Sequence, residues 1–155
     1  MPAVMFSTRT PDGAVLGRPR LVLVNAALWT VLLTGGSLLG WFALPPHVRA
    51  LFTIPQIATL LFIEGFIVCF LWAVGLSYVR ADAAGLRFRN GLRSHTRTWD
   101  DVAHVRYLTG DPWAFLELHE PIEKLPLMGI MRTDGERADG LVADLRALHR
   151  ASREA

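Results

Sequence analysis

The sequence predicts an α+β protein: a two-helix transmembrane hairpin followed by a small domain, in which a bent antiparallel sheet is capped by a C-terminal helix. Three observations carry this reading. Between Leu21 and Val79 the formally charged side chains are Arg49 and Glu64 alone, whereas the chain from Arg80 onward reads as water-soluble. Near residue 85 long apolar runs give way to two-residue alternation. After residue 136 an amphipathic stripe closes the chain. The composition is 52% hydrophobic and 19% charged over 155 residues, and this apolar excess is too localised for one soluble core.

Leu21 to Leu44 is an uncharged run. As a helix it is about 36 Å long, enough to cross a bilayer with some tilt. Pro45-Pro46 ends it, because proline cannot continue a helix. The second run extends from about Leu51 to Tyr78, and the short connection Pro45–Ala50 implies a tight helical hairpin. Pro55 falls in the first turn of the second span, where a missing N–H costs little. Trp41 and Tyr78 are placed to anchor at the interfaces.

Arginine sets the expected orientation. Arg9, Arg18 and Arg20 outweigh Asp12 before the first span, and Arg80, Arg87, Arg89, Arg93 and Arg97 outweigh Asp82 after the second. The connecting loop holds Arg49 alone. The positive-inside rule then puts both termini in the cytoplasm of a multi-pass plasma-membrane protein. A cleaved signal peptide fits less well, because the polar leader and the apolar core are both too long. The expected division is a tail over 1–20, the hairpin over 21–79 (spans 21–44 and 51–78) and the soluble domain over 80–151.

Within the hairpin, Gly36 and Gly40 have a GxxxG spacing that lets another helix approach closely. Packing of the two spans in one chain is the plainer reading; a homodimer is the sharper one. Glu64 stands near the middle of the second span, where an ionised carboxylate is costly. It is expected to be protonated or hydrogen-bonded, with Thr30, Thr34 and Ser37 as partners at similar depth. The lone Cys69 reads as an inert thiol within the second run.

In the soluble part, Leu86 and Phe88 alternate with Arg87 and Arg89, which reads as a half-buried strand. Asn90-Gly91 is a strong turn dipeptide. A strict two-residue loop there sets Phe88 beside Arg93; a three-residue loop sets it beside Ser94 and keeps arginine off the apolar face, and is preferred. A second strand follows through Trp99, then a short turn and a third strand within Asp100–Tyr107, a turn at Thr109–Pro112, a fourth strand over Trp113–His119 and a fifth over Leu125–Met131, bounded by Pro121 and Pro126. Thr133 and Glu136 have capping-box spacing ahead of a helix whose apolar face is Leu141, Val142, Leu145 and Leu148.

Ala81-Asp82, Gly85 to Asn90, Trp99 to Val102, Pro112 to Ala114, Leu125 to Gly129 and Thr133 to Ala138 together resemble the PH-like domain of small actinobacterial membrane proteins, the low molecular weight protein antigen 6 group. The resemblance covers about residues 20 to 150. It implies two membrane helices followed by a PH-like fold, and it brings no catalytic or ligand residues.

The functional classes narrow accordingly. No nucleophile elbow, P-loop or HExxH motif is present, and the five histidines are scattered, so neither an enzyme nor a metal or other cofactor is expected. Asp100-Asp101 reads as a turn cap. Arg80–Arg97 carries a balance of +4 and Trp99–Ala155 one of −4, which argues against the broad basic surface of a nucleic-acid binder. The sequence therefore reads as a non-enzymatic membrane protein with an interaction module at the inner membrane face. Arg80, Arg87, Arg89, Arg93 and Arg97 are its candidate contacts to anionic headgroups or to a protein or peptide partner. The alternative is a scaffold that acts through the hairpin, with Gly36, Gly40 and Glu64 as its packing and polar contacts.

Overall fold

The computed structural model describes residues 13–119 and 122–154. Arg9 and Asp12 of the expected basic tail, and Pro121 beside the fifth expected strand, lie outside the described residues. The element order is β1 (Val15–Gly17), α1 (Arg20–Ala43), α2 (Pro46–Arg49), α3 (Ile54–Gly75), β2 (Tyr78–Ala81), β3 (Gly85–Asn90), β4 (Arg93–Thr98), β5 (Val102–Arg106), β6 (Trp113–Leu118), β7 (Lys124–Met131) and α4 (Glu136–Glu154).

The two long apolar runs are α1 and α3, and both are long and apolar enough to cross a membrane. Their most apolar windows are only 6% and 0% buried, unlike the core helix of a soluble protein. Proline shapes the connection: Pro46 opens α2, and Pro55 sits in the first turn of α3 behind a Thr53–Gln56 capping box. The helices meet closely in the half nearer the sheets. There a Cβ on Gly75 would lie 3.3 Å from Leu23, and Trp72 Nε1 donates to Thr30 Oγ1 at 3.0 Å.

The remaining strands form two antiparallel sheets, ordered β1-β2-β3-β4 and β5-β6-β7, where the sequence suggested one bent sheet. Alternation does the work in each. Val79, Ala81, Leu86 and Phe88 point inward from the first sheet. They join Leu116, Leu127 and Ile130 of the second sheet and Leu141 and Leu145 of α4 in one buried cluster. Gly129 makes the crossing of β7 over β2 possible: a Cβ there would lie 2.6 Å from the backbone of Tyr78 and Val79.

The first sheet contains a strand that the sequence did not suggest. Val15–Gly17, inside the stretch read as a tail, pairs with β2 in the register Val15↔Ala81, Leu16↔Arg80 and Gly17↔Val79. The helical hairpin is thus inserted between two neighbouring strands. Gly17 fits closely, since a Cβ would meet Ile130 at 3.1 Å and the Gly129 carbonyl at 3.2 Å. Pro19, which precedes α1, offers no side-chain cap. The cap comes instead from Asp134, whose carboxylate accepts from the backbone N–H groups of Arg20 and Leu21 at 3.3 Å, where a helix N-terminus favours negative charge. The expected capping box at Thr133 is therefore not the start of α4. Arg132–Asp134 forms a 3-10 turn, and Gly135, at φ +56°, turns the chain before Glu136.

Helix α4 buries Leu141, Val142 and Leu145, as its spacing predicts, and also His149. The His149 ring lies 2.9 Å from the Val102 carbonyl through Nε2 and 5.7 Å from the Trp99 ring. Burial, reinforced by Arg153, His104 and His119, pushes its pKa below 6.5, against the Val102 hydrogen bond. The folded state therefore binds fewer protons than the unfolded chain as pH falls from about 6.5 toward the lower folded value, and stability is lost across that window. Thermal unfolding should show a melting temperature that drops between pH 7 and pH 5, and a shallower drop in His149→Gln. In the same assay Gly129→Ala should destabilise by about 1–3 kcal/mol, because backbone rather than a flexible side chain occupies the space.

Candidate interaction surface

The β3–β4 hairpin turns at Gly91-Leu92, one residue beyond the Asn90-Gly91 turn expected from the sequence. Asn90 pairs with Arg93, Phe88 with His95 and Leu86 with Arg97, so neither expected partner of Phe88 is correct. The reason is local. Gly91 alone takes a positive φ, +58°, which suits the first central position of a two-residue turn. Asn90 is held in the strand by its amide, which donates to the Pro126 carbonyl and accepts from the Met128 N–H at 3.1 Å. The Phe88 ring is covered by the His95 ring, stacked at 5.0 Å.

This register divides the five candidate arginines. Arg80 and Arg87 are cross-strand partners, and Arg89 pairs with Ser94; these three alternate away from the buried Val79, Leu86 and Phe88 and so lie on the outer face. Arg93 and Arg97 share the parity of His95 and lie on the opposite face, along the edge strand. The structure therefore does not gather the five into one pocket. Among the described residues, no carboxylate lies within ion-pair distance of Arg87, Arg89, Arg93 or Arg97.

Two of the five flank a turn that sits against the hairpin. The Gly91 N–H donates to the buried Ser77 hydroxyl at 3.0 Å, and a Cβ on Gly91 would lie 4.0 Å from the Ala73 carbonyl of α3. Arg89 Nε donates to the Gly91 carbonyl at 2.7 Å. Leu92 projects from the tip, 78% exposed. The turn thus combines an exposed leucine, Arg89 and Arg93 beside the end of an apolar helix. Alternation alone gives no sign of this, because the contact to Ser77 crosses from one element to another.

In the hairpin, α3 of the same chain does not pack against Gly36 or Gly40, the plainer of the two expected contacts. A Cβ on either glycine would meet nothing within 4 Å. With Gly65 and Glu64 they line an open crevice of about 810 Å³ between α1 and α3. Glu64 has no hydrogen-bond partner among the described residues, and Thr30, one of its expected partners, is engaged by Trp72. Asp101 is a cap, as expected: its carboxylate accepts from Thr98 N–H and Oγ1 at 3.1 Å. Among the described residues no cluster of histidine, cysteine and carboxylate is suited to a metal ion.

Two sheets closed by a C-terminal helix, with this turn at one end, agree with the outcome of comparison. Residues 77–151 match the family model for the bacterial PH domain. This segment is a bacterial PH domain. The match stops short of β1, so the PH sheet is completed by a strand that lies before the helical hairpin. No curated protein and no solved structure matches the chain. Asn90→Ala should cost about 1–3 kcal/mol in chemical denaturation, since it leaves the Pro126 carbonyl and the Met128 N–H without their partner.

Proposed function

We propose that the chain is a non-enzymatic integral membrane protein, with α1 and α3 as its spans and both termini cytoplasmic, that holds its PH domain against the inner membrane face as an interaction module. The observation that carries this reading is the Gly91-Leu92 turn. It lies beside the last turn of α3, where a spanning helix leaves the bilayer. An exposed leucine flanked by two arginines that have no carboxylate at ion-pair distance among the described residues suits that depth: the apolar tip enters the interface and the cations meet anionic headgroups. Each well-placed cation contributes about 1 kcal/mol near an anionic surface. Arg80, Arg87 and Arg97 lie further along the strands and act through the general basic field. A PH domain is a non-catalytic interaction module, which supports a role in binding.

A scaffold function through the hairpin is the second reading, favoured by the unfilled crevice at Gly36, Gly40 and Glu64. Exchanging the hairpin for an unrelated one and repeating crosslinking in native membranes separates the two: loss of partners supports the scaffold, and their retention supports the PH domain. The turn is tested with an environment-sensitive dye on Leu92→Cys, in a Cys69→Ala background, in bilayers with and without anionic lipid. Dye emission should shift to the blue and be quenched by lipid-borne quenchers. The effect should grow with anionic content and weaken in Arg89→Glu with Arg93→Glu, while a dye at Thr98→Cys stays aqueous. Equal emission from the two sites would remove the lipid contact.

A further inference from the structure

We infer that the free edge of β4 binds an acidic peptide in extended conformation, added as a fifth strand to the first sheet. This edge shares Arg93 with the bilayer contact proposed above, whereas Ser94, Thr96 and Arg97 lie outside that turn.

Unpaired strand edges attract other strands, and folded proteins generally cover them. Among the described residues the other edges are short or engaged by neighbouring groups. β1 has three residues and packs against α4. Along β5, Arg146 Nε donates to the Val105 carbonyl at 3.0 Å, and His149 holds the Val102 carbonyl. β7 faces the first sheet and is tied to it by Asn90. Among the described residues β4 pairs with β3 alone, and it runs for six residues, Arg93–Thr98.

The backbone register states what an added strand would meet. A two-residue turn makes Asn90↔Arg93 the hydrogen-bonded pair, and bonded and non-bonded pairs alternate from there. Arg93, His95 and Arg97 therefore bond inward to β3, while Ser94 and Thr96 aim their N–H and C=O groups outward; the Thr96 carbonyl already accepts from Arg97 Nη1 at 3.0 Å, a contact that an added strand would share or displace. The Thr98 N–H is occupied by Asp101 at 3.1 Å, which fixes the far end of the usable edge.

Charge chooses the occupant. Arg93 and Arg97 lie on one face, four residues apart, with His95 between them, and neither has a carboxylate at ion-pair distance among the described residues. An antiparallel partner places side chains directly opposite these residues in non-hydrogen-bonded pairs, where side chains approach most closely. Carboxylates four positions apart, with an apolar residue between them, match Arg97, His95 and Arg93 in turn. Arginines without carboxylates repel a second basic strand, including β4 of another copy, and admit an acidic one.

The test uses the full chain in nanodiscs of zwitterionic lipid and the labelled probe acetyl-Glu-Thr-Val-Thr-Glu-amide. Binding should be seen by fluorescence anisotropy, with slowed amide exchange at Ser94 and Thr96. Arg97→Glu should weaken it by about fivefold or more, the size expected when a cross-strand attraction becomes a repulsion. Arg93→Glu with Arg97→Glu should restore binding to the Lys-Thr-Val-Thr-Lys probe, a rescue that a misfolded variant cannot give. N-methylation of the probe's threonines should abolish binding. Three results would overturn the inference: no protection at Ser94 and Thr96, equal binding of the N-methylated probe (charge alone), or protection by anionic nanodiscs but not by the peptide, which would make the edge a lipid contact.

Discussion

The pairing of β1 with β2 is the constraint on which the arrangement depends. Three backbone pairs, Val15↔Ala81 to Gly17↔Val79, join chain segments that lie on either side of both apolar helices. Neighbouring strands are about 4.8 Å apart, so this pairing holds the start of α1 and the end of α3 close together. Asp134 adds a second tie by capping α1 from the far side of the domain. Because the hairpin leaves and re-enters the same sheet, its direction relative to the PH domain is set by backbone hydrogen bonds rather than by a linker. The position of the Gly91-Leu92 turn beside α3 follows from this, since β3 pairs with β2 and carries the turn to the end at which the helix arrives.

Much of this fold was legible in the sequence because it rests on local patterns. Charge depletion located α1 and α3 to within a few residues, the alternation of Leu86 and Phe88 gave β3, and the spacing of Leu141, Val142 and Leu145 gave the buried face of α4. What escaped reading depends on distant partners. Val15–Gly17 is too short to announce itself as a strand and exists because β2 lies beside it. Asn90 resembled a turn residue because its amide partners, Pro126 and Met128, are 36 and 38 residues away. The shift of one residue in that turn moved every β4 side chain to the other face. It separated Arg93 and Arg97 from Arg87 and Arg89, so the basic stretch is two surfaces rather than one. Gly36 and Gly40 have the spacing of a helix contact, but no helix of the same chain fills the space beside them.

The Gly91-Leu92 turn and the free edge of β4, which share Arg93, have different physical characters. At the turn, charge stands beside exposed apolar area and a helix end, a combination that suits an interface between water and hydrocarbon. Along β4, charge stands beside backbone hydrogen-bonding groups, which suits an extended chain. On the two proposals made above, the domain takes its position from the turn and its partner from the edge.

The insertion of the hairpin between β1 and β2 also orders the life of the chain at the ribosome. Gly17 emerges long before its partner Val79, and the intervening chain must first be threaded into its helices. Closing such a separation through a disordered segment is entropically unfavourable, whereas a formed helical hairpin returns the two ends side by side. The first strand of the PH domain is thus made first and placed last. Completion of the sheet requires that the hairpin has formed, and a chain whose hairpin fails to fold back leaves the edge of β2 without its β1 partner.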